Sequence, residues 1–260
     1  VRSDFSTITD HGSLGMLKLL DTSGANTKLR KNNRDIKLRV AGLSLMPDDT
    51  LCPMRNIAEC KNPCLRYSGR GVFDNVVDAR QAKSNFFHQD RAAFIEQLKR
   101  ELINFEKLCS KNNVEPWVRL NVISDVQWEL KANGSIPQSF PDIKFFDYTK
   151  LAKRLGNTPD NYDLMFSWSG AKKYQNQVDL ALKTDAPISA VFHGPMPETF
   201  LGRAVVSGDN SDIENIFQPG KILGLKYKLA KGQSINPIDS VFIVNTKDAD
   251  ITSLNRGGAS

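Results

Sequence analysis

The strongest helical pattern in the chain lies between residues 74 and 112. There Ala93, Phe94, Leu98, Leu102, Ile103 and Phe105 recur at the three- and four-residue intervals that line one face of an α-helix. Asp90 precedes the second part of this run and reads as its N-cap. Elsewhere the pattern changes to short apolar runs closed by polar or small residues. IKLRVAGLSLMP, from Ile36, reads as a strand ending at Pro47, because proline cannot donate to a ladder. WVRLNVI (117–123), IKFFDYT (143–149), YDLMFSWS (162–169), ISAVFHG (188–194), RAVVSG (203–208) and ILGLKYK (222–228) read as further strands, and VFIVN (241–245) as a last one at an edge. LAKRLG (151–156) and the stretch from Tyr174 to Leu182 read as short helices between them. Strands alternating with helices predict parallel pairing, hence an α/β chain built as a complete or partial (β/α) barrel in a single domain, with an open doubly wound sheet as the alternative. Residues 1–22 are expected to be a flexible N-terminal arm and residues 23–260 the α/β domain.

The 260 residues are 40% apolar and 25% charged, ordinary globular usage. No stretch approaches the roughly 18 apolar residues of a membrane span, and no signal peptide opens the chain, so the expectation is a soluble protein of the host cell cytoplasm without a membrane partner. A net charge of +6 permits a polyanionic partner without requiring one. Lys28, Arg30, Lys31 and Arg34 form the densest basic run, either a nucleic-acid contact or a solvated loop.

Four cysteines are too few for a disulfide scaffold, but Cys52, Cys60 and Cys64 fall within one loop with the spacing C-x7-C-x3-C. Pro53 and Pro63 stiffen that loop. Clustered thiols suggest shared chemistry: a three-thiolate iron–sulfur cluster, a zinc ion with a fourth ligand from elsewhere, or three packed reduced thiols. Cys109 stands apart on the predicted helix and reads as a packed thiol.

Other candidate groups stand mostly at predicted strand ends, where α/β folds assemble their sites. Arg119 and Asn121 interrupt an apolar strand, and inward charge there is costly unless it is paired or used. Asp125, Asp147, Lys150, Ser167 and His193 follow at or near the ends of successive strands. Asp125, Asp147, Lys150 and His193 are candidates for proton transfer, and Arg70, Arg119, Asn121 and Ser167 for substrate binding. Arg119, Asn121, Asp125 and Asp147 are expected to line one cavity beside the cysteine loop, with Asp147 pairing Arg119. Arg70 lies between Gly69 and Gly71, where small residues allow close approach to a phosphate or carboxylate, or simply make a turn. No Walker loop, dinucleotide fingerprint, Ser-His-Asp order or H-E-x-x-H helix is present.

Several segments together, SGANTKLRK, CPMRNIAECKNPCL, SGRG, VRLNVISDVQWE, FPDIKFFDYTK, NYDLMFSWSG, the SGD at Gly208 and ILGLKYK, resemble the mycobacteriophage gene-eighty-eight family. The resemblance covers most of residues 23–228. It implies a phage or prophage origin and brings no activity with it. Where that family more often has a glycine before the Asp-containing turn, this chain has Val122 and Ile123. A looser architectural resemblance is to radical S-adenosylmethionine enzymes, which hold a 4Fe-4S cluster on three cysteines after the first barrel strand. Their spacing is C-x3-C-x2-C, and their Gly-Gly-Glu-Pro segment is replaced here by SDVQWE.

Two functional classes follow. One is an enzyme with an iron–sulfur site at the barrel mouth, with S-adenosylmethionine as a further cofactor under the second resemblance, acting on a nucleotide, nucleic acid or host factor. The other is a zinc-stabilised protein that binds nucleic acid or a host protein without catalysis. Oligomeric state is left open.

Overall fold

The computed structural model describes residues 17–22, 37–64, 67, 69–228 and 237–247. Among these, ten strands form one sheet: β1 (Leu20–Asp21), β2 (Leu38–Leu43), β3 (Glu115–Arg119), β4 (Lys144–Thr149), β5 (Tyr162–Ser167), β6 (Ile188–His193), β7 (Thr199–Phe200), β8 (Arg203–Ser207), β9 (Ile222–Lys226) and β10 (Ile243–Asn245). Five α-helices accompany them: α1 (Asp74–Gln89), α2 (Arg91–Lys111), α3 (Ile136–Ser139), α4 (Gln175–Leu182) and α5 (Asp212–Ile216).

Strands β2 to β6 lie side by side in chain order and in parallel, the winding of a (β/α) barrel. Beyond β6 the order becomes β9, β8, β7, with β7 antiparallel to β8. At the other edge β1 runs antiparallel to β2. The sheet therefore stays open between two antiparallel edges, and the fold is α/β with the form of a partial barrel. Leu20 lies within the stretch assigned to an arm, yet it pairs with Leu43. Its edge is held because Glu101 of α2 accepts hydrogen bonds from the Leu19 and Leu20 amides at 2.7–3.1 Å.

The helical region breaks at Asp90, whose side chain accepts from the Ala93 amide at 2.9 Å. Phe94, Leu98, Leu102, Phe105 and Cys109 form the buried face of α2. Each such large apolar side chain contributes about 1.5–3 kcal/mol by leaving water. They belong to the main core, which also takes Phe145, Tyr162, Phe166, Ile188 and Phe192 from one face of the sheet. A smaller core lies on the opposite face, built from Val40, Trp117, Phe146, Met165 and Leu223 and covered by Ile213 of α5.

Two strand readings shift. WVRLNVI leaves the ladder after Arg119, because the Asn121 side chain binds the Val126 backbone in both directions at 2.9 Å and turns the chain. VFIVN contributes β10 away from the sheet's ends: it pairs with Val191–His193 of β6, on the part of that strand beyond its contact with β5.

Candidate functional site at the carboxyl edge of the sheet

The cysteine loop follows β2 and is tied down at both ends. Ser84 of α1 accepts from the Met46 amide at 2.7 Å, fixing where the strand stops. Asp48 then accepts from the Thr50 and Leu51 amides at 2.8 Å and starts a turn that carries Cys52, whose amide donates to the Asp48 carbonyl. Leu51 O accepts from the Asp125 amide at 2.8 Å, and Ala58 O accepts from Ser169 Oγ at 2.7 Å. The loop is thus fastened over the segments that follow β3 and β5.

Cys52, Cys60 and Cys64 are half-buried free thiols. Cys52 Sγ donates to Ile123 O and Cys60 Sγ to Arg55 O, at 3.7 and 3.8 Å. Burial pushes the Cys52 thiol far up, and Asp125, Cys64 and Cys60 add to the effect. Burial also raises Cys60, with Lys150 acting against it and Cys64 adding to it. The three thiols therefore lie within electrostatic reach of one another. Among the described residues, no group of three or more His, Cys, Asp and Glu is arranged to hold a single metal ion. Cys109 sits apart, fully buried in α2.

Lys150 faces this loop from the end of β4. It follows β4 directly, and its Nζ donates to Ser167 Oγ at 3.0 Å and lies over the Phe242 ring at 4.5 Å. Burial lowers its affinity for the proton, while Cys60, Asp125, Cys52 and Cys64 all favour its charge. One ammonium thus responds to all three thiols and to the acid beside them.

Behind Lys150 lies a buried acid network. Asp125 Oδ2 accepts from the Lys150 amide at 2.8 Å, and its Oδ1 takes Arg154 Nη1 at 2.7 Å. Arg154 also grips Glu129 through Nε and Nη2 at 2.8 and 2.9 Å. Its Nη2 reaches Tyr162 OH, which donates to Asp147 Oδ2 at 2.8 Å. Asp147 accepts further from the Asn121 amide at 2.7 Å and from Asn121 Nδ2 at 3.1 Å. Burial raises the Asp147 carboxyl to about 7, against the pull of Arg119, Tyr162 and Asn121. Burial raises Asp125 as well, opposed first by Arg154.

The residues singled out in the sequence divide into groups. Cys52, Cys60, Cys64, Asp125, Lys150 and Ser167 share the carboxyl edge of the sheet. Asn121 and Asp147 are buried in the network behind it. Arg119 is 2% exposed; it lies 3.9 Å from Asp147, but its close partner is Asp212 of α5, at 2.7 Å. His193 closes β6 and packs edge-on against Tyr227. Arg70 falls in the turn Gly69–Val72, and its side chain lies outside the described residues, as does the basic run Lys28–Arg34. Arg154 and Tyr162 link Asp125 to Asp147, to which Asn121 binds directly and beside which Arg119 lies. Two cavities of about 380 and 400 Å³ lie at the opposite edge, against Pro187 and Ile216 and against Trp117 and Phe217, and none of the sequence-derived candidates lines them.

Arg154 and Asp212 were not singled out from the sequence. Arg154 sits in a short basic helix and Asp212 in a Ser/Asp-rich turn, contexts that read as solvated surface.

A family model described as Gene product 88 matches residues 17–240. The chain belongs to the Gene product 88 family. No curated protein and no solved structure matches it. The Gene product 88 match spans β1 to β9 and includes every candidate named above, so the cysteine loop, Lys150 and the buried acids lie inside the family region. No helix among the described residues is long and apolar enough to cross a membrane.

Proposed function

We propose that Cys52, Cys60 and Cys64 hold an iron–sulfur cluster at the carboxyl edge of the partial barrel, and that the chain is an enzyme using it on a nucleotide, nucleic acid or host factor. The observation that supports this reading is the electrostatic coupling of three thiols from one loop to one half-buried lysine. The donor set is of the kind a cluster takes: three thiols coupled to one another, with Lys150 coupled to all three. Such a cluster, when bound, would supply electron transfer at an iron position open to substrate or to a cofactor such as S-adenosylmethionine.

The chain's own groups would do the following. Thiolates are the ligands, so loading releases protons, and the raised Cys52 and Cys60 thiols make it favour higher pH. Lys150 offsets thiolate charge and holds a proton at Nζ beside Ser167. Asp125 sets the Lys150 backbone, and Arg154 donates to Asp125 and opposes the rise that burial gives its carboxyl. His193 stands at the end of β6 as a second proton carrier.

Protein purified without oxygen and reconstituted with iron and sulfide should be brown. Iron and sulfide content should fall in Cys60→Ser and stay unchanged in Cys109→Ser. A colourless protein carrying zinc, or iron content indifferent to Cys60→Ser, would overturn the reading; zinc would leave the chain as a binding protein.

A further inference from the structure

Buried polar atoms without partners are rare, and each calls for a physical account. Among the described residues three buried side-chain atoms lack a hydrogen-bond partner: Arg119 Nε, which lies 3.9 Å from Asp147 Oδ1, His193 Nδ1 and Tyr227 OH. Arg119 closes β3, His193 closes β6, and Tyr227 follows β9 by one residue. All three fall on the face of the smaller core. Arg119 stands two residues after Trp117, and Tyr227 four after Leu223, while His193 alternates with Phe192 of the main core. The His193 and Tyr227 rings meet edge to face, with centroids 5.6 Å apart.

At the β3 end two donors close on one carboxylate. Arg119 Nη1 reaches Asp212 Oδ2 at 2.7 Å, Tyr148 OH donates to Asp212 Oδ1 at 2.8 Å, and the guanidinium lies over the Tyr148 ring at 4.9 Å. The donors stand on rigid parallel strands. The carboxylate comes from α5, a five-residue helix whose buried apolar anchor is Ile213. Asn215 of the same helix ties it to Gly208 O at 3.0 Å and to Tyr148 OH at 3.3 Å.

We propose that Arg119 and Tyr148 form a subsite for the acid group of a ligand, a carboxylate or phosphate, and that Asp212 is the chain's own occupant, displaced when the ligand enters. The exchange replaces one anion by another, so the buried guanidinium keeps a partner throughout and the cost of an uncompensated buried charge is avoided. The unpaired groups of His193 and Tyr227 lie three and four strand spacings from β3, roughly 14 and 19 Å along the sheet, where they meet the rest of a ligand lying across the mouth. The subsite does not depend on what the cysteines bind.

The test compares wild type with Asp212→Ala in titrations with inorganic phosphate and with acetate at constant ionic strength. Asp212→Ala should bind at least one of them about tenfold more tightly, the tighter one naming the acid class. The gain should vanish in Asp212→Ala/Tyr148→Phe and persist in Asp212→Ala/Cys60→Ser, which separates this proposal from the cysteine reading. An Asp212→Ala protein with the wild-type circular dichroism spectrum and no gain for either anion overturns it. Should that variant not fold, Asp212→Asn keeps the outline without the charge. Phosphate or acetate should then raise its melting temperature more than that of wild type, and a shift no larger than wild type's with either anion overturns the proposal.

Discussion

Asp147 illustrates at the scale of one residue how burial and hydrogen bonding compete. Its carboxylate accepts from Asn121 and Tyr162 and lies near Arg119, all of which favour ionisation, yet loss of water outweighs them and raises the group from 3.8 to about 7. Between those values the folded chain holds a proton that the unfolded chain releases. This group's contribution to stability therefore falls as pH rises from about 4 to about 7, and is flat above. Asp147→Asn should remove that slope. Urea midpoints measured near pH 5 and near pH 8 should differ less in the variant than in wild type, and an unchanged difference would assign the titration to other groups. Arg119 and Asp147 could be paired from the sequence because each interrupts an apolar strand. Asp212 could not, since it lies 93 residues from Arg119 in a turn that gives no sign of facing the sheet.

At the scale of elements, the continuous helical pattern over 74–112 is divided by one side chain. Asp90 accepts from Ala93 N, while its own amide donates to Phe86 O, so the same residue ends α1 and starts α2. Asp90→Ala should cost about 1 kcal/mol, read as a lower midpoint in denaturant unfolding; a change within error would show that packing alone sets the break. The apolar run 117–123 gave no comparable sign of where its strand stops. Leu120 and Val122 are as apolar as the strand residues, and it is the Asn121 side chain, satisfied by Val126, Ser124 and Asp147, that takes the chain out of the ladder.

At the scale of the whole molecule, the pairing of β10 with β6 depends on one close backbone approach. Gly194 has φ 124°, a conformation open to glycine, and a Cβ there would lie 2.6 Å from Thr246 Oγ1 and 2.8 Å from Lys247 N. Gly194→Ala should push β10 away from β6, seen as faster amide exchange across Ile243–Asn245 and a lower melting temperature; unchanged exchange there would show that the contact yields without loss of pairing. The α/β class, the parallel winding of β2 to β6 and the position of the cysteine loop after the first parallel strand were legible in the sequence. Each rests on local periodicity or on residues close in the chain, which the sequence records directly. The return of β10 to β6, the reversed order of β9, β8 and β7, the clamp on Asp212 and the bridge from Asp125 through Arg154 and Tyr162 to Asp147 were decided only by tertiary structure. They join residues far apart in sequence, and such contacts are selected by burial and by the need to pair each buried charge, conditions that arise only once the sheet has formed.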